Sequence, residues 1–238
     1  MSDSFVVIGG TACDLLMAGE GVEFRTTKDI DIVFLFHKPS REFGDRFIRF
    51  LSDGGYNNCE RSDGKPVYYR FKDPSELTFP SIIELFSGGT SFEIKDKVCR
   101  FRKISFTSMV SLSAILVDGN YYELIQNGVI IAQGIPVLAR QYLILFKIKA
   151  FLDLSERKEN GEQVDSKDIK KHRNDIFRLS QYLSEMDIVP VKPDIEDDVR
   201  KFIKAVETDP SINLKAIGAE ISKDGLLNIL RTIYKINN

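Results

Sequence analysis

Tryptophan is absent from these 238 residues, histidine occurs twice and cysteine three times. Cys13, Cys59 and Cys99 are odd in number and widely spaced, with no Cys-x-x-Cys pair. That argues against a disulfide framework and against a zinc knuckle. Long apolar runs are also missing: none reaches the roughly 18–20 residues that a membrane span needs. The opening MSDSFVVIGG has no basic n-region and no apolar h-region of useful length, so no signal peptide is visible. A cytoplasmic, reduced protein with no membrane partner is the expectation. Charge of one sign is lacking as well, with 33 Lys+Arg against 35 Asp+Glu and a formal net charge of −2. This excludes a strongly basic nucleic-acid coat and an acidic disordered tail. Any nucleic-acid contact must come from a local patch. There is no repeat and no low-complexity tract.

What is present is 43% apolar residues in short runs, enough for a proper core in one large domain or two small ones. The first half reads as mixed α/β. Residues 5–8 form a short buried-type strand running into Gly9-Gly10, and a helix is expected over 11–18. Residues 30–36 (IDIVFLF) are apolar on both faces, as in a central strand. Residues 40–52 have helical spacing. Residues 56–61 and 67–71 read as hairpin strands between turn signals, 81–86 (SIIELF) as a strand, 99–106 and 121–132 as strand-like, and 109–116 as a short helix. After Pro136 the period becomes helical, at 138–154, 166–183 and beyond. The expected division is an α/β domain over 1–135 and a helical domain over 136–238.

Three stretches carry chemistry: Gly9-Gly10-Thr11, the run from Arg25 to Asp31 (RTTKDID), and Ile83-Glu84-Leu85. Alternate residues of a strand share a face, so Asp29 and Asp31 point the same way. Two adjacent carboxylates repel unless something positive lies between them. A divalent cation is the simplest partner, and oxygen-only ligands favour Mg²⁺ over zinc. Two glycines between a strand and a helix let backbone N–H groups approach a phosphate closely. Each motif alone also has a plain structural reading. The Asp pair can simply reach solvent, the glycines can form a helix-entry turn, and Glu84 can lie on an edge strand or in a salt bridge to Lys or Arg.

At these residues the chain resembles the nucleotidyltransferase superfamily: a Gly-Gly turn, then Asp-x-Asp, then a third acid on a neighbouring strand. It is most similar to the AbiEii/AbiGii toxin-type branch. Gly9–Ala12 and Arg25–Asp31 match that branch's opening motifs, and the stretches LILFKIKA (143–150) and KDIKKHRNDIFRL (167–179) resemble its later helices. The resemblance implies a mixed-sheet nucleotidyltransferase fold of the α/β (α+β) class followed by a C-terminal helical domain. It implies an enzyme moving a nucleoside monophosphate from a nucleoside triphosphate such as ATP to an acceptor, RNA (a tRNA end) or protein. A toxin role beside a cognate antitoxin belongs to the same implication. A small-molecule nucleotidyltransferase of the aminoglycoside-modifying kind and a catalytically silent nucleotide-binding module are the alternatives.

On that reading Asp29, Asp31 and Glu84 hold Mg²⁺ and form the catalytic set, with Glu93 and Glu123 as alternatives for the third acid. Gly9, Gly10 and Thr11 grip phosphate, Arg25 and Lys28 neutralise charge, and Lys147 and Lys171 contact phosphate from the helical half. The plain alternative for Lys171 is an i, i+4 helix salt bridge with Asp175.

Overall fold

The computed structural model describes residues 5–25, 27, 29–35, 41–62, 67–87, 101–104 and 119–236. The chain divides into two compact units, Met1–Leu138 and Ala139–Asn238.

The first unit is built on a mixed sheet of eight strands. They are β1 (Phe5–Ile8), β2 (Asp29–Phe34), β3 (Tyr56–Ser62), β4 (Val67–Pro74), β5 (Ile82–Ser87), β6 (Phe101–Ile104), β7 (Val129–Ala132) and β8 (Ile135–Leu138), in the spatial order β6-β3-β4-β5-β2-β1-β8-β7. Three pairings are parallel (β1 with β8, β2 with β5, β3 with β6) and the rest antiparallel. Among the described residues this unit has three helices: α1 (Gly9–Gly19), α2 (Arg41–Gly54) and α3 (Gly119–Asn127).

Alternation along the strands makes the central sheet two-faced. Phe34, Cys59, Tyr69, Phe71, Ile83 and Leu85 form an apolar cluster with Leu51 of α2. The Phe43 ring of α2 meets Phe34 edge-on at 5.4 Å, and Phe47 meets Phe71 at 6.1 Å. The alternate positions, Asp29 and Asp31 of β2, Glu84 of β5, Arg70 and Lys72 of β4 and Glu60 of β3, fall on the opposite face. One face of the sheet is therefore a core and the other carries charge.

Two expectations are corrected here. The 121–132 run is not one strand, because its first part is α3, which buries Tyr121, Leu124 and Ile125 at i, i+3, i+4 spacing. Tyrosine and isoleucine favour strands, but the helical period of the buried positions prevails. Against the expectation from cysteine arithmetic, Cys59 is disulfide-bonded, while the buried Cys13 thiol of α1 donates to the Gly9 carbonyl at 3.0 Å. Spacing along the chain does not reveal long-range strand pairing, and β3 pairs with β6 far along the sequence. The expected helix over 109–116 lies outside the described residues.

The second unit is helical: α4 (Arg140–Glu159), α5 (Ser166–Ser180), α6 (Pro193–Glu207) and α7 (Lys223–Ile233), with two short 3₁₀ turns. Asp165 caps α5 by accepting from the Lys167 N–H at 2.8 Å, Pro193 opens α6, and the Ser222 hydroxyl caps α7. Its core is aromatic and aliphatic, with Phe202 of α6 between Phe151 (5.2 Å) and Phe177 (6.2 Å). Among the described residues no helix is long and apolar enough to cross a membrane.

Candidate active site

β1 runs into α1 without a linker, and Gly9 makes the turn with φ of +68°, in the left-handed region that suits glycine. β1 pairs with β2 so that Ile8 lies opposite Asp31. The two glycines are bare because the second motif packs on them. A Cβ on Gly9 would fall 1.8 Å from Asp31 Oδ2. One on Gly10 would fall 2.7 Å from Thr27 Oγ1 and 3.6 Å from an Arg25 guanidinium nitrogen. The Thr11 hydroxyl donates to the Asp29 carbonyl at 2.8 Å, and the Thr27 hydroxyl donates to the same oxygen at 3.3 Å. The N-terminus of α1 has no side-chain cap and no acid of its own in the first turn, so the Asp31 carboxylate lies against the positive end of that helix.

Parallel pairing of β2 with β5 puts Asp31 in register with Glu84 and Asp29 in register with Ile82. Asp29, Asp31 and Glu84 thus share a face of two adjacent strands. Like charges directly opposite in a sheet are unfavourable by themselves. The salt-bridge explanation for Glu84 is the one observed: Arg70 of β4 donates through Nε and Nη2, each 2.6 Å from Glu84 Oε1. Of the alternative third acids, Glu93 lies outside the described residues. Glu123 is exposed on α3 and is not a strand residue beside β2.

The half-exposed Asp29 and Asp31 offer hard oxygen donors on one face, which suits one Mg²⁺-like cation. As arranged, however, the described residues hold no group of three His, Cys, Asp or Glu side chains fit for a metal, because the third acid is turned to Arg70.

Beside Asp29 opens a cleft of about 410 Å³. Thr11 and Asp29, both expected from sequence, line it together with Asp14, Thr27, Phe79 and Ser81. Asp14 and Ser81 were not foreseen. Asp14 carries a readable signal, one helical turn beyond Thr11. Ser81 comes into place only through strand order, just before β5.

Lys28 lies outside the described residues. Lys147, expected to reach phosphate, is buried in α4, and its ammonium donates to Asp175 Oδ2 at 2.9 Å. Asp175 is fully buried and also pairs with Arg178 at 3.3 Å, whereas Lys171 is exposed on α5. Lys171 and Asp175 are therefore not the pair that their spacing suggested. A lysine four residues along can only reach an acid on the same solvated face, and Asp175 faces the core.

No family model and no curated protein matches the chain. Among solved structures, the crystal structure of JHP933 from Helicobacter pylori is similar over 98% of this chain and 85% of that one, at 15% identity and a TM-score of 0.35. A likeness of that depth carries no functional weight. The function is argued from the site's own geometry.

Proposed function

We propose that this chain is a Mg²⁺-dependent nucleotidyltransferase that transfers a nucleoside monophosphate from a nucleoside triphosphate to an acceptor hydroxyl on RNA or protein. The observation that carries this reading is the register of β2 with β5, which sets Glu84 beside Asp31 on the face that Asp29 shares. Gly9 has no room for a side chain beside Asp31, and Gly10 has none beside Thr27. A fold that only needed a stable strand pair would not place like charges opposite each other.

When bound at Asp29 and Asp31, Mg²⁺ supplies charge neutralisation to the triphosphate. The N–H groups at the start of α1 bind phosphate oxygen, helped by the helix dipole. Arg25, held against Gly10, adds positive charge where negative charge develops as the acceptor oxygen attacks the α-phosphorus and the bond to pyrophosphate breaks. Glu84, held one strand away from Asp31 by Arg70, is the carboxylate that takes the acceptor's proton.

A second reading, a nucleotide-binding module without catalysis, is favoured by the ion pair of Glu84 with Arg70. One experiment separates them. Mg²⁺ with ATP or GTP raises the melting temperature of the wild type and not that of Asp29→Asn or Asp31→Asn. Labelled nucleoside triphosphates incubated with total RNA, lysate protein and small hydroxyl compounds then leave label on one acceptor class. A nucleotide-dependent shift without transfer supports the silent module, and label on small compounds points to a small-molecule transferase. No shift in the wild type removes the proposal.

A further inference from the structure

The charged face of the sheet holds more than the three acids. Asp31, Glu84, Arg70 and Glu60 stand in one register row across β2, β5, β4 and β3. Within that row the Arg70 guanidinium bridges two acids. Both its Nε and its Nη2 converge on Glu84 Oε1, and Nη1 lies 3.5 Å from Glu60 Oε2. Lys72 Nζ adds a second cation to Glu60 at 3.0 Å. The side chains of Arg70, Glu84 and Glu60 are 19%, 15% and 8% exposed. Ionic rows this far from water are weak sources of stability, because desolvation offsets most of the attraction. Glu60 keeps a cation in Lys72 without Arg70. Arg70 therefore serves Glu84 first, the carboxylate set beside Asp31.

We infer that Arg70 is a positioning residue that holds the Glu84 carboxylate off the Asp29–Asp31 pair and so sets how tightly that pair binds a divalent cation. This rests on the reading of the two aspartates as cation ligands. With Arg70 in place, Glu84 is turned along the row toward β4 and the aspartates bind a cation as a two-carboxylate site. With the grip loosened, Glu84 stands one strand from Asp31 and joins the cation as a third carboxylate. A planar guanidinium aiming two N–H groups at one oxygen suits this hold, and a lysine's single ammonium would hold more loosely.

The test uses Mn²⁺ as the probe and its affinity, by calorimetry on the full chain, as the readout. Metal-free melting curves check that each variant is folded. Arg70→Gln binds Mn²⁺ about tenfold more tightly than wild type, and Arg70→Lys falls between them. In the Glu84→Gln background the Arg70→Gln gain disappears, since no third carboxylate remains to be released. An equal gain with and without Glu84 overturns the inference, because it would reflect only the loss of a positive charge nearby. Wild-type affinity in Arg70→Gln overturns it too. Should Arg70→Gln not fold, wild-type affinity in Arg70→Lys has the same force. Absence of Mn²⁺ binding in both wild type and Arg70→Gln overturns this inference and the proposed function together. Loss of binding in Asp31→Asn, with wild-type affinity in Arg70→Gln, overturns the inference alone.

Discussion

The two units place their acids differently. In the helical unit every prominent charge has an opposite one assigned to it: Lys147 with Asp175, Lys149 with Asp198 at 2.8 Å, Arg173 with Asp209 at 2.7 Å. The first two pairs tie helix to helix, α4 to α5 and α4 to α6, and the third ties α5 to the turn after α6. In the sheet unit the acids Asp31 and Glu84 are set side by side by strand register, and Gly9 is packed against Asp31. Charges of the first kind hold the fold. Charges of the second kind are held by the fold. Lys147 is buried because it is paired with Asp175.

The largest expected effect tests that distinction directly. Asp175→Asn leaves the Lys147 ammonium buried without its counter-charge and lowers unfolding free energy by about 3–5 kcal/mol in urea. The double variant Lys147→Met with Asp175→Leu recovers most of that loss, as apolar replacements of buried pairs do. Asp31→Asn changes stability by no more than about 1 kcal/mol, since it relieves a like-charge contact. If Asp31→Asn is as damaging as Asp175→Asn, the contrast between the units fails.

A smaller effect compares a glycine from each unit. Gly9 and Gly161 both have positive φ, +68° and +84°, but nothing lies within 4 Å of a Cβ on Gly161. Gly161→Ala carries only the left-handed backbone penalty of about 1–2 kcal/mol. Gly9→Ala carries that and the collision with Asp31, so it melts lower than Gly161→Ala. In the Gly9→Ala/Asp31→Ala double variant the excess disappears. Additive losses there would show that the glycine and the aspartate are not in contact.

The smallest effect concerns Asp153 of α4. Burial pushes its carboxyl above the ordinary value of 3.8, against the opposing pull of Arg157, whose Nη1 lies 3.8 Å away. An acid whose pKa is raised by folding disfavours the folded state once ionised. That penalty is absent below pH 3.8 and complete above the raised value. Asp153→Asn is therefore slightly more stable than wild type at pH 7, by about 0.5 kcal/mol or less, and matches it near pH 3. Urea midpoints at the two pH values check the sign. A variant less stable at pH 7 would mean that the Arg157 attraction outweighs burial.

Much of this architecture can be read from local pattern. The strand into Gly9-Gly10, the central strand with its alternate aspartates, the 56–71 hairpin and the change to a helical period near 138 are all short-range signals. α3 is legible too: Tyr121, Leu124 and Ile125 have helical spacing, although tyrosine and isoleucine favour strands. Strand order was not legible. Nothing local says that β5 lies parallel to β2, and that single pairing sets Glu84 beside Asp31. Nor could the sequence show that Arg70 holds Glu84, or that Lys147 points to Asp175 twenty-eight residues on. Those facts belong to tertiary contacts between segments with no shared periodicity.

The contact between Gly9 and Asp31 also orders the ways in which this chain could drift. While the aspartate is present, no side chain can enter position 9 without displacing it. Once the aspartate is gone, only the backbone angle still favours glycine there. Decay of the site therefore has a direction: carboxylate first, glycine afterwards. A descendant that had abandoned the proposed chemistry would show that order of loss. This chain has lost neither.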